Sequence, residues 1–260
     1  MQKVNKLSKV LSEDDFAYLE KIIGNRKGDV SRLYSLKGKV MHGTNDCIFQ
    51  SMVKDKKILT KGKSEGMYNS TGASFTDGDS EVGLTFQTIF DDQNTRSDDK
   101  KFNSDKYSDK VRDFINFFWK DGDRRKKFQE YLSKISNGKT VDTFDQARSA
   151  AERFKFKAIP KEIKNDAEKL QKLFGVTIIF GKTKLPELEP TDKNDPTGNF
   201  ELRSFRKNGI PLEDASAVFV PESQIDAIKR ILKTCRLSHI EIRPSEELEI
   251  LRMIQLIDSK

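Results

Sequence analysis

Apolar residues recur along this chain with two different periods, and the places where the period changes outline its elements. Phe16, Leu19, Ile22 and Ile23 keep helical spacing behind Ser12, which suits an N-cap, with Asp15 three residues on and Gly24 as the stop, so a first helix is expected over 12–23. Val40-Met41-His42 predicts a short strand running into the turn residues Gly43-Thr44-Asn45-Asp46. Ile48, Met52 and Val53 share one face of a short helix ahead of Ile58-Leu59, and residues 61–69 are polar and read as a loop. Ala73-Ser74-Phe75 and Val82-Gly83-Leu84-Thr85-Phe86 predict two strands separated by an Asp77-Gly78-Asp79 turn.

Residues 91–110 are almost wholly polar and predict an exposed loop. Beyond them Val111, Phe114, Ile115 and Phe118 form the stripe of an amphipathic helix, Phe128, Leu132 and Ile135 that of a second after Asp121-Gly122-Asp123, and a third is expected from Phe144 to Phe154. Pro160-Lys161 opens a further helix through Ala167, Leu170 and Leu173. The β-branched and aromatic run Val176–Phe180 predicts a buried strand, 182–199 a loop, and Glu201–Phe205 a strand of alternating character. Ala217–Val220 closes at Pro221, Ile225, Ile228 and Ile231 mark a helix, Ile240 and Ile242 a last strand, and Ser245–Ile257 a terminal helix. This order, with helices segregated between groups of strands, predicts an α+β fold. A single domain over 1–260 is expected, with an N-terminal helical segment at 1–37 and a helical insertion at 92–160.

Composition refines this picture in four ways. Hydrophobic residues are 35% and charged residues 34% of the 260, so eighteen Phe must carry much of the core. No run reaches the roughly 18–20 apolar residues of a membrane span, and the first residues lack the apolar stretch of a signal peptide. Cys47 and Cys235 are far apart and only two histidines occur, so free thiols and no metal are expected. The net charge of +7 favours anionic partners. Its basic residues are interspersed with acidic ones, and Arg124-Arg125-Lys126-Lys127, Arg203, Arg206 and Lys207 read as solvated charges.

Three segments carry candidate chemistry. His42 is followed at once by Gly43 and Thr44, and a backbone without a side chain lets a ligand approach closely. Gly72-Ala73-Ser74-Phe75-Thr76 offers a small hydroxyl between a glycine and an aromatic ring. Glu201 opens a strand and is followed by Gly209-Ile210-Pro211-Leu212 and Ala217-Val218-Phe219-Val220-Pro221-Glu222. Each segment alone also fits an ordinary turn, strand or solvated carboxylate.

Together, in this order and spacing, they resemble the ADP-ribosyltransferase superfamily, in which a first pocket strand ends in His-Gly-Thr or His-Gly-Ser. There a Gly-hydrophobe-(Tyr or Ser)-Phe-(Thr or Ala) stretch forms the second strand, and the catalytic Glu begins the third. Lys56-Lys57-Ile58-Leu59 echoes the segment that follows the first motif, and the likeness spans residues 38–90 and 174–235. It implies a split β-sheet core and NAD as substrate, without a metal. His42 would hydrogen-bond a ribose hydroxyl, and the backbone of Gly43 would hold the nicotinamide carboxamide, with Thr44 shaping the same turn. Ser74 would lie by the nicotinamide ribose and orient Glu201, the carboxylate that stabilises positive charge on the sugar as nicotinamide leaves.

Two positions depart from the family's pattern. Ser74 stands where His-Tyr-Glu members carry a stacking tyrosine, so the ring would come from Tyr68, Phe75 or Phe86. Asn199 stands where arginine-modifying members carry Glu or Gln. The expected activity is mono-ADP-ribosylation of a protein side chain by a monomer, acting in the cytoplasm or delivered into a host cell as a toxin-like effector. Nucleic acid is the alternative acceptor, and a non-catalytic binding module the alternative class.

Overall fold

The computed structural model describes residues 33–59, 72–94, 104–136, 138–152, 172–190 and 200–258, with isolated positions at 13, 17, 20, 166, 168 and 169. Of the helix expected over 12–23, Glu13, Ala17 and Glu20 are described and are helical. The loop at 61–69, and with it Tyr68, lies outside the described residues, as do Asn199 and most of the helix expected after Pro160.

Nine strands and seven helices are described: β1 (Lys39–Asn45), α1 (Asp46–Asp55), β2 (Lys57–Ile58), β3 (Ala73–Asp77), α2 (Glu81–Asn94), α3 (Ser104–Trp119), α4 (Gly122–Ile135), α5 (Phe144–Glu152), β4 (Gly175–Gly181), β5 (Glu189–Pro190), β6 (Glu201–Ser204), β7 (Ile210–Pro211), β8 (Ala215–Val220), α6 (Ile225–Thr234), β9 (Glu241–Pro244) and α7 (Glu246–Asp258). Seven strands form one sheet in the order β5-β6-β3-β1-β4-β8-β9, while β2 and β7 make a separate ribbon. Every neighbouring pair in the sheet is antiparallel except β8 with β9. The fold is therefore α+β with a mostly antiparallel sheet.

Alternation along the central strands assigns their side chains to two cores. Val40, Phe75, Val176, Ile178, Phe180 and Val218 face α1 and α6, where they meet Phe49, Val53, Ile228 and Leu232. Met41, Ile179, Ala217 and Phe219 face the other way, onto Leu84 of α2 and Leu248 of α7. Both sides of β4 are thus covered, which is why Val176–Phe180 is apolar nearly throughout. A third cluster joins α2 to α3, α4 and α5 and absorbs much of the phenylalanine. In it Phe118 stacks on Phe128 with ring centroids 4.4 Å apart.

The structure corrects four expectations. Val82–Phe86 is not a strand but the first part of the helix Glu81–Asn94. Ser80 precedes it, and its Oγ accepts from the Gly83 N–H at 3.3 Å, as an N-cap does. Val82, Phe86 and Ile89 join the phenylalanine cluster at helical spacing. The buried polar residues Thr85, Gln87, Thr88 and Asp91 break the apolar pattern and hide that period. Secondly, 91–110 is not one exposed loop: Asp91–Asn94 end α2, Ser104–Lys110 begin α3, and Asp91 and Lys110 are buried. Thirdly, β1 does not stop at His42 but continues through the expected turn to Asn45, whose side chain caps α1 by accepting from the Ile48 N–H at 3.0 Å. Lastly, within 182–199, Lys182–Lys184 form a 3-10 turn and Glu189–Pro190 pair with β6.

Candidate functional site

The three sequence segments lie on consecutive neighbours of the sheet, β6, β3 and β1. β1 pairs with β4 along its whole length, Lys39↔Gly181 to Asn45↔Gly175. With β3 it pairs only at Val40↔Asp77 and Met41↔Thr76, although both strands continue. The ladder therefore opens at His42, and a side chain takes over where the backbone bonds stop. His42 Nδ1 lies 2.8 Å from the Ser74 carbonyl oxygen. A carbonyl can only accept, so Nδ1 carries the proton and Nε2 of the neutral ring is left with a lone pair. Burial pulls the His42 pKa below its ordinary value, opposed by the bond to Ser74, so the ring is neutral at pH 7.

Register decides which side chains share a face. β3 and β6 pair as Ser74↔Arg203, Phe75↔Leu202 and Thr76↔Glu201. Directly opposed residues project the same way, so Ser74, Thr76, Glu201 and Arg203 belong to one face. His42 projects to the other, with its ring 5.4 Å from that of Phe75. A ligand touching both His42 and Glu201 must therefore lie across the opening between β1 and β3.

Glu201 is 8% exposed and Arg203 3% exposed. Arg203 Nη2 donates to Glu201 Oε1 at 2.9 Å. The resemblance assigns the orientation of Glu201 to Ser74; here an arginine two residues along the same strand holds the carboxylate, while the Ser74 carbonyl holds His42. The reading of Arg203 as a solvated charge is thus corrected, and the signal for it was the i, i+2 spacing from Glu201 in a strand.

Two glycines are demanded by close approach. A Cβ on Gly43 would lie 2.6 Å from both Gln87 Nε2 and Phe90 Cδ1, so α2 itself excludes a side chain there. Gly72, which leads into β3, has φ +121° and would set a Cβ 2.9 Å from the Ser204 carbonyl oxygen. Thr44 is buried in β1 opposite Val176 and so shapes no turn.

Among the candidate rings, Phe75 is committed to the core, packed edge-on against Phe180 at 5.8 Å. Phe86 is half-buried on α2, 5.2 Å from Phe200, the residue before Glu201. Phe90 follows it one turn later beside Gly43. Behind these rings runs a buried polar chain that the sequence reading missed. Gln87 Nε2 donates to Thr177 Oγ1 at 2.8 Å, and Thr177 Oγ1 donates to Asp91 at 2.8 Å. The Thr76 hydroxyl lies 3.2 Å from Gln87 Oε1. Burial pushes the Asp91 pKa up to about 7 against the lowering effect of its bonds from Thr177 and Gln87.

Arg124 lies over the Phe117 ring at 4.8 Å, whereas Arg125, Lys126 and Lys127 are exposed as expected. No described helix is long and apolar enough to cross a membrane. Comparison with protein-family models, with curated proteins and with solved structures returned no match to this chain.

Proposed function

We propose that this chain is a mono-ADP-ribosyltransferase that cleaves NAD and transfers ADP-ribose to a protein side chain. What carries the reading is one juxtaposition: the His-Gly-Thr strand, the Gly-x-Ser-Phe-Thr strand and the Glu strand are adjacent, and the sheet opens between the first two at His42. An opening between β1 and β3 supports the split β-sheet core that the resemblance implies. In this role the unprotonated Nε2 of His42 accepts a hydrogen bond from a ribose hydroxyl. In the same role the largely buried Glu201 carboxylate stabilises the oxocarbenium-like sugar more than the ground-state sugar. The bond from C1′ to nicotinamide breaks with its electron pair leaving on the nicotinamide, and the acceptor heteroatom bonds C1′ and releases a proton. Of the two described sequence-predicted rings, Phe86, half-buried beside Phe200, is better placed than the core residue Phe75 to face nicotinamide.

The test is transfer from labelled NAD to a cell lysate, with and without nuclease. Label on protein bands is expected from the wild type, with Glu201→Ala slower by a factor on the order of 10²–10³. Nuclease-sensitive label would move the acceptor to nucleic acid. Neither transfer nor nicotinamide release from folded protein would overturn the enzymatic reading in favour of a non-catalytic binding module.

A further inference from the structure

The Arg203 guanidinium has more donors than the described residues supply with acceptors. Its side chain is 3% exposed, Nη2 is engaged by Glu201, and Nε and Nη1 are buried without a hydrogen-bond partner among the described residues. A charged group stripped of water normally has its donors met, and one that does not calls for an explanation such as a bound ion or ligand. The missing partner must be an acceptor, and a guanidinium selects carboxylate or phosphate oxygens. Glu201 already provides the carboxylate, so an additional oxyanion would balance the remaining N–H groups.

We propose that Arg203 binds a phosphate-type oxyanion, which on the NAD reading is the diphosphate of the substrate. The proposal rests on that reading for the identity of the ligand but not for the existence of the anion site. Arg203 stands opposite Ser74 on the face that also carries Glu201 and Thr76. The two residues stand about 7 Å apart along the strand, yet their head groups meet at 2.9 Å, so a ligand would meet the carboxylate and the guanidinium side by side. Glu201 and Arg203 would then read adjoining parts of one molecule, and their ion pair would keep the carboxylate in place while the free donors grip the oxyanion. This gives the third pocket strand a binding function besides the catalytic one.

Calorimetric titration with inorganic pyrophosphate, NAD and nicotinamide riboside tests it. Glu201→Gln is compared with the double variant Glu201→Gln/Arg203→Gln, so that removing the arginine does not leave a lone buried carboxylate at Glu201. Removing the arginine should weaken pyrophosphate and NAD at least tenfold and leave nicotinamide riboside, which has no phosphate, within about twofold. Equal pyrophosphate affinity in the two variants, or none in a folded Glu201→Gln protein, would overturn the proposal. Equal loss for all three ligands would also overturn it, since Arg203 would then only support the pocket. Should the double variant fail to fold, Arg203→Lys serves instead: it keeps the charge but not the fork of donors, and its selective loss of pyrophosphate over riboside is the expected result. Pyrophosphate binding that depends on Arg203, with no NAD binding by the wild type, would keep the anion site and remove the NAD reading. NAD bound equally with and without Arg203 would do the reverse.

Discussion

Single residues in this protein are constrained mostly by what lies against them. Gly43 reads in the sequence as room for a ligand, and in the structure as room for Gln87 and Phe90. Gly43→Ala should therefore destabilise the fold by about 1–3 kcal/mol through overpacking, measured by urea unfolding, even with no ligand present. Asp91 offers a sharper test because its sign is fixed. Between its ordinary 3.8 and about 7 the folded protein holds a proton that the unfolded chain has already released. Stability from this group consequently falls as pH rises through that window, with a slope approaching about 1.4 kcal/mol per pH unit, and levels off above it. Asp91→Asn cannot titrate, so its unfolding free energy should gain on the wild type from pH 4 to 7 and run parallel above. A difference curve that is flat across the window would refute the assignment. His42 acts in the opposite sense, since burial depresses its pKa and protonation at lower pH weakens the native state; taking the difference between the two proteins cancels it.

At the scale of elements, α2 does most to position the site. It seats Phe86 and Phe90 beside the opening, closes the back of β1 with Gln87, and joins the sheet to the phenylalanine cluster through Val82 and Ile89. Its N-terminal turn is held by Ser80 Oγ. Ser80→Ala should cost about 1 kcal/mol, readable as a lower urea midpoint with an unchanged slope. The sequence made this helix look like a strand because Thr85, Gln87, Thr88 and Asp91 are polar yet buried. Hydrophobic period reports burial only when buried residues are apolar. In β4 and α3 the buried apolar residues outnumber the buried polar Thr177 and Lys110, and in α6 Ile228 and Leu232 are the buried ones, so their patterns were legible.

Across the whole molecule, ion pairs tie segments that are far apart in sequence. Lys110 of α3 bonds Asp92 at 2.6 Å and Glu249 at 3.0 Å, and Arg252 bonds Glu249 at 2.7 Å and Asp113 at 2.9 Å. Burial lowers the Lys110 pKa, but Asp92 and Glu249 outweigh it and leave the pKa raised. Lys110→Met would take the cation from Asp92 and from Glu249 Oε2, leaving Glu249 to Arg252, and should cost about 3 kcal/mol in unfolding free energy. The terminal helix is thereby fastened over α2 and α3, an arrangement that no local pattern announces. What the sequence determined by itself was local: the α+β class, the strands at Ala73–Phe75, Val176–Phe180 and Ala217–Val220, the helices with apolar stripes, and the three candidate segments. Periodicity and turn chemistry act over a few residues and survive without knowledge of the fold. Tertiary structure alone decided that β6, β3 and β1 are neighbours and that the β1–β3 ladder opens at His42. It also decided that Glu201 is held by Arg203 and that Phe75 belongs to the core, because register and burial arise only when distant strands meet.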